Sequence, residues 1–362
     1  MSIIDVQYNH ENENHSIIKS GFQGSFIDND NDPITGVLPL IPDYRAYNAG
    51  VYTTYAKSGD NHNIELGIRY DLVSQNVAAI SNTRPRMILR FNDNYHNISS
   101  SLGYKVSILE HGTLALNTAY AVRNPGINER FSTGLHQGVG GIEEGQVDLN
   151  SEKSFKSTIS LSNDPESRWF AEGIVYHHHF NDYIYLQPTT LRLTVRGAFP
   201  VFQYEQTNAR IFGIDLYTRY DITSQVSTTL SASYIDGQDL SRDETLINIP
   251  SNNVLGQVSY STLKPIKIFH RSVENIKITL ENRYSFRKTG INEEQDFLAP
   301  PEAYNLVSID LTGDIQLAKT RLRLSTSIDN LFNVRYRDYL NRQRYFSDDI
   351  GRNINLGLNL RF

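Results

Sequence analysis

Read backward by twos from the C-terminus, Phe362, Leu360, Leu358, Leu356 and Ile354 alternate with Arg361, Asn359, Gly357, Asn355 and Asn353. A period of two marks a β-strand whose two faces meet different surroundings. The pattern recurs along most of the chain. Ile276, Ile278, Leu280, Tyr284 and Phe286 oppose Lys277, Thr279, Glu281, Arg283 and Ser285. Val307, Ile309, Leu311, Ile315 and Leu317 oppose Ser308, Asp310, Thr312, Asp314 and Gln316. The polar faces carry both signs of charge, which a dry sandwich core would not tolerate and a watery lumen would.

The alternation predicts about 15 strands, many of about ten residues or more, as a membrane-spanning strand requires. They cover roughly 3–9, 15–26, 45–57, 63–74, 92–108, 114–122, 154–162, 168–186, 202–221, 226–237, 253–262, 276–288, 304–316, 322–335 and 351–362. Tight polar turns ("SGDNH", "EHGT", "NDPES", "TSQ", "LAKTR") alternate with long segments: Asp28–Asp43, Gln75–Phe91, Arg123–Lys153, Gln187–Pro200, Gln238–Asn252, Arg287–Glu302 and Tyr336–Ile350. Only "KPIKIFHRSVEN" is long where a tight turn is due. Short turns at one end and long loops at the other predict an all-β fold, a transmembrane antiparallel β-barrel. A propeller would repeat every 40–50 residues or so, and no such repeat is present.

Charge and composition narrow this further. The 362 residues hold 34 Lys and Arg against 40 Asp and Glu, a net charge of -6, which argues against a nucleic-acid partner. With no Cys, thiolate metal sites and Cys nucleophiles are excluded. No run of apolar residues is long enough for a membrane helix, and "MSIIDVQYNHENENH" is not a signal peptide. The 22 Tyr and 16 Phe suit the aromatic belts of a barrel. Protease, lipase and P-loop signatures are missing, so no enzyme is expected. An odd strand count would pair the first and last strands in parallel, which bacterial single-chain barrels avoid. Further strands are therefore expected upstream, the chain reading as the C-terminal part of something longer.

Several motifs then resemble one family. "RNPGINERFSTGLHQGVGGIEEGQVDLNSEKS" (Arg123–Ser154), "DYIYLQP" (Asp182–Pro188), "RGAFPVFQYEQTNARIFGIDL" (Arg196–Leu216), "IDNLFNVRYRDYL" (Ile328–Leu340) and "GRNINLGLNLRF" together resemble the C-terminal barrel of TonB-dependent outer-membrane receptors, closest to importers of zinc, haem or metal chelates. The resemblance implies a 22-stranded barrel around an N-terminal plug. Residues 1–362 would then be a partial barrel, its last 15 or so strands, without the plug or the TonB box. TonB would act only through that missing plug, and no transport is expected from residues 1–362 alone. The resemblance makes Arg123, Glu129, Asn330, Phe332, Asn333, Gly351 and Phe362 structural motif residues, with Phe362 closing the signal read by the barrel-assembly machinery. Lipid and lipopolysaccharide of a Gram-negative outer membrane are the implied surroundings.

Candidate binding chemistry sits in the loops. His136, Glu143, Glu144 and Asp148 suit a hard or borderline cation, within a glycine-rich segment able to close over a ligand. Arg123 and Glu129 are better explained as ion pairs that order this loop. In "YHHHFND", His177 and His179 share one strand face and offer two imidazoles, short of a full metal site, or else a polar patch at the membrane rim. Arg342, Arg344 and Tyr345 lie in a loop dense in Arg and Tyr that suits an anionic aromatic chelate, a solvated surface or lipopolysaccharide. The expected function is TonB-dependent uptake of a metal ion or metal chelate such as haem or a ferric siderophore, with no covalently bound cofactor. The alternative is a non-transporting surface barrel, an adhesin or structural remnant; an outer-membrane enzyme is a distant third.

Overall fold

The computed structural model describes residues 1–12, 16–36, 38–81, 85–108, 111–268, 271–292, 294–317 and 320–361. Phe362 lies outside the described residues. The strands are β1 (Ser2–Asn12), β2 (Ser16–Asn29), β3 (Asp43–Ser58), β4 (His62–Ile80), β5 (Ile88–Ile108), β6 (Gly112–Arg123), β7 (Thr133–His136), β8 (Gly141–Glu144), β9 (Glu152–Ser162) and β10 (Trp169–Thr194). There follow β11 (Gly197–Asp221), β12 (Val226–Asp239), β13 (Glu244–Thr245), β14 (Asn253–Ser261), β15 (Ile266–Ile268), β16 (Arg271–Ser285), β17 (Tyr304–Leu317), β18 (Thr320–Asp329) and β19 (Asn353–Arg361). Four of the nineteen, β7, β8, β13 and β15, are short appendages, and the fifteen others form the wall.

Each wall strand pairs antiparallel with the next, β1 through β6 and then β9, β10, β11, β12, β14, β16, β17, β18 and β19. Among the described residues no pairing joins β1 to β19, so the sheet has two open edges.

Register aligns the apolar positions across the wall. Val258, Leu280, Ile309, Ile328 and Ile354 follow one another strand to strand. Leu116, Ile159, Val175, Ile214 and Tyr234 do the same. Nothing among the described residues covers this face at Leu356 and Leu358, which are 78% and 77% exposed. The opposite face is laced with polar pairs, among them Gln23 to Asp5 at 2.9 Å, Arg69 to Asp71 at 2.6 Å, and Gln257 to Glu281 at 2.7 Å. A wall apolar outside and hydrogen-bonded inside suits lipid on one side and water on the other. Among the described residues, the buried apolar clusters lie near the long-loop end. Val77, Ala79, Ile127 and Phe131 form one, and Phe180, Ala209, Leu246 and Ile249 the other.

Several predicted bounds shift, for physical reasons. β4 runs on to Ile80 because Val77 and Ala79 point inward, under the helix α1 (Ile127–Phe131), which inverts the usual apolar-out pattern. Gln187–Pro200 is not an open loop. β10 and β11 carry their ladder up to Thr194 and Gly197, accommodating Pro188 at a register shift and turning at Gly197 with φ 123°. Proline lacks the ladder's N–H, so these residues read as breakers. "KPIKIFHRSVEN" extends a hairpin, with Ile266 opposite Val273; Phe269 and His270 lie outside the described residues. β18 stops at Asp329, short of 335, where Asn330 and Asn333 adopt left-handed φ of 50° and 53°.

Candidate functional site

The loop between β6 and β9 is anchored first. Arg123, at the end of β6, donates to Glu129 at 2.8 Å and to Glu152 at 3.1 Å. Glu129 also accepts from the Gly126 N–H, and Glu152 from the Ile184 N–H on β10, so one guanidinium fixes the loop's two roots and its neighbour. Arg130, 6% exposed, bonds Asp93 at 2.5 Å and the Tyr95 hydroxyl at 3.0 Å and stacks on Phe131. This docks α1 on the inner wall.

Above that base, β7 and β8 form a small hairpin, and β8 pairs in parallel with Val201–Gln203 of β11. The pairing brings His136 and Glu143 over the mouth. His136 Nδ1 lies 2.9 Å from Glu143 Oε1, and Arg342 donates to the same oxygen at 2.6 Å. Glu143 is buried. The Arg342 guanidinium also covers the Phe202 ring at 4.4 Å, and Gln343 donates to the Gly138 carbonyl. The long loop between β6 and β9 and the last long loop are thereby tied together.

A second node lies beside it. Arg344 and Asp296 pair at 2.5 Å, each side chain 3% exposed. Tyr345 donates to Asp296 at 2.6 Å, and Arg344 sits 4.5 Å from the Tyr345 ring centre and 4.8 Å from that of Tyr339. Burial pushes the Tyr345 phenol well above its usual range, and its bond to Asp296 adds to this. Burial holds the Tyr339 phenol up to about 12, with the Asp296 charge reinforcing it. Tyr345 completes an aromatic group with Phe202 and Phe297, at 6.0 and 5.7 Å between centroids. Arg342 Nε and Nη2 and Arg344 Nη1 are buried and take no hydrogen-bond partner among the described residues. Donors left this way are costly unless an acceptor reaches them.

The sequence-derived candidates therefore separate. His136, Glu143 and Arg342 meet, and Arg344 and Tyr345 form the adjoining node. Glu144 pairs with Arg192 of the β10 tip at 2.7 Å. Asp148 is exposed and bonds to no described residue. His177 and His179 lie on the outward wall face with Val175, opposite Phe212 and Arg210, with His179 bonded to Asn181. They are not part of the loop cluster. Among the described residues no three His, Asp or Glu side chains gather to hold a metal ion. Asn330, 3% exposed, clamps the Val334 backbone through both side-chain atoms, Asn333 accepts from the Arg352 N–H, and Phe332 is exposed. Asp296 and Phe297 were not among the candidates. Their only sequence signal is an acid beside an aromatic in a long loop.

A family model described as TonB dependent receptor-like, beta-barrel matches residues 4–331. No curated protein matches by sequence. Among solved structures, the copper transporter OprC is 18% identical with a TM-score of 0.73, over 96% of this chain and 54% of that one. The FrpB iron transporter of Neisseria meningitidis is 13% identical with a TM-score of 0.67, over 97% and 53%. The ferric yersiniabactin uptake receptor FyuA of Yersinia pestis is 13% identical with a TM-score of 0.65, over 99% and 53%. At such identities the likeness is one of fold, and the chain spans about half the length of these structures.

Proposed function

This chain belongs to the family of TonB-dependent receptor β-barrels, and on that premise we propose that it forms the wall and loop layer of an outer-membrane receptor that takes up a metal chelate. The family and its solved relatives are receptors and transporters, not enzymes. Among the described residues no helix is long and apolar enough to cross a membrane, whereas the apolar-out strands would cross one.

The observation that carries the proposal is the pair of nodes over the mouth, where Arg342 and Arg344 keep buried N–H groups in hand beside Phe202, Phe297 and Tyr345. Guanidinium donors suit anionic oxygens, and flat rings suit an aromatic or macrocyclic ligand. A ferric catecholate or haem fits this chemistry better than a bare ion, since His136 and Glu143 lie side by side but, among the described residues, no third His, Asp or Glu joins them. Capture and gating involve no covalent step. The loops bind the chelate, and energy arrives from TonB through a plug domain.

The test is binding of ferric catecholate, haem and zinc ion to the protein in outer-membrane vesicles. Wild type should bind one anionic chelate, and R342A should weaken it at least tenfold. Equal binding by both proteins, or binding of zinc alone, refutes the proposal. The open edges of β1 and β19 support a second point. Unpaired backbone is not tolerated in lipid, so we propose that further strands close the wall. Immunoblotting outer membranes with an antibody to residues 123–153 should show a band well above 41.2 kDa; a band at that mass would favour a partner-completed barrel.

A further inference from the structure

Beyond the wall, the tip of the β10–β11 hairpin stands free. β10 pairs with β9 only as far as Asn181, opposite Lys153. Over residues 190–194 it has β11 on one side and no described strand on the other. At about 3.3 Å per residue, Leu193 is roughly 35–40 Å along the strand from Asn181, clear of the lipid-facing band. The tip is nonetheless apolar. Leu191 and Leu193 are 63% and 85% exposed, and Val195 in the turn is fully exposed. The opposite face of the hairpin is occupied, with Arg192 on Glu144 at 2.7 Å and Val201 buried.

Backbone register decides which edge is open. With Val195 and Arg196 as the turn, Thr194 and Gly197 are the first hydrogen-bonded pair, and bonded pairs alternate from there. Arg192 and Phe199 therefore make the next bonds, while the N–H and C=O groups of Leu191 and Leu193 point away from β11. On β11 the positions pointing away from β10 are Ala198 and Pro200. Proline has no N–H to offer, and β8 takes this edge from Val201 onward. The edge of β11 is thus blunted, and that of β10 is a template for another strand. Neither an acyl chain nor a small chelate carries a matching ladder. Arg196 adds a charge: it is exposed, and its guanidinium has no acidic partner among the described residues.

We propose that the free edge of β10 at Leu191 and Leu193 docks a second protein, which adds an extended segment to the hairpin. That segment sets apolar side chains against Leu191, Leu193 and Val195 and an acidic residue beside Arg196. The interaction is separate from the chelate nodes over the mouth. It takes from the receptor reading only that the long-loop end faces outside the cell, where a protein can reach it. Backbone bonds to the edge give affinity without regard to sequence, and the apolar row and Arg196 select the partner.

The experiment measures binding of two short fluorescent peptides to the full protein extracted from outer membranes in mild detergent. One peptide alternates valine with glutamate, the other valine with lysine. Wild type should bind the glutamate peptide at least tenfold more tightly. Leu193→Pro removes an edge N–H but no bond between β10 and β11, and should weaken that binding at least tenfold. Leu191→Pro serves if the first change disturbs the turn, with heat-resistant migration on gels as the control for a folded wall. Arg196→Glu should reverse the preference between the peptides. Binding of neither peptide by wild type, or equal binding by wild type and the folded proline variants, overturns the docking edge; an unchanged preference in R196E overturns the acidic partner. Trypsin added to intact cells should cut after Arg196. Protection until the cells are broken would instead overturn the receptor reading, and the docking edge with it.

Discussion

Replacing Arg344 by Met tests whether the loop layer is held by its buried charges. The side chain gives Asp296 and the Tyr339 carbonyl a hydrogen bond each and lies against two tyrosine rings. Methionine keeps much of the bulk and leaves Asp296 with Tyr345 as its remaining side-chain donor. Removing one partner of a buried pair costs about 3–5 kcal/mol, because the other charge stays desolvated. The wall does not depend on this pair, so the cost falls on local opening of residues 338–349 and 294–297 rather than on global unfolding. At about 1.4 kcal/mol per factor of ten, backbone amides there should exchange at least about 100-fold faster. Hydrogen exchange read by mass spectrometry, with peptides of β17 and β18 as internal reference, measures this directly. Adding Asp296→Asn should recover part of the protection, since the lone charge is gone. Exchange within twofold of wild type in R344M would show that the aromatic group, not the ion pair, holds the layer.

Three other outcomes are expected. Glu143→Gln weakens both bonds to Glu143 Oε1, at about 1.5–3 kcal/mol for a charged hydrogen bond, so the distance distribution between spin labels at 138 and 343 should broaden; an unchanged distribution counts against the tie. Gly351→Ala places a Cβ 2.6 Å from Asn333 Oδ1 and should cost about 1–3 kcal/mol, lowering the temperature of gel-detected unfolding, with Asn333→Gly as the rescuing second change. Tyr339 holds its proton up to about 12 in the fold, against roughly 10 when free. The stabilisation is therefore complete below pH 10 or so and is lost as pH rises toward 12, so the loop layer should loosen in that window in wild type and less in Y339F, by tryptic cleavage after brief alkaline exposure.

The wall was legible because each spanning strand meets two media, and that contrast is written at every second position, as in Ile354 to Leu360. Legibility failed where a strand leaves the membrane. At Val77 and Ala79 the apolar side chains turn inward to meet Ile127 and Phe131, and the alternation reverses its meaning. At Pro188 and Pro200 the residue type argued against a ladder that the opposite strand nonetheless supplies. Among the loop residues, Arg342, Arg344 and Tyr345 stood out by chemical type, as did His136 and Glu143. Their partners did not, because Asp296 and Phe202 become neighbours of residue 344 or 345 only once distant loops converge. His177 and His179 show the converse: alternation placed them on one face, but only the sheet's curvature tells which medium that face meets.

The parallel pairing of β8 with β11, and the bond from residue 342 back to residue 143, set an order of events in folding. Wall strands pair with chain neighbours, mostly across short connections, so the sheet can assemble hairpin by hairpin with modest loop-closure cost. The Glu143–Arg342 bond cannot form until β18 and the segment after it exist, nearly two hundred residues later. The roof is therefore built last and unbuilt first. An antibody specific for the Gly138–Gln343 junction would recognise only chains whose final hairpin is in place, and would report completion of assembly separately from insertion of the wall.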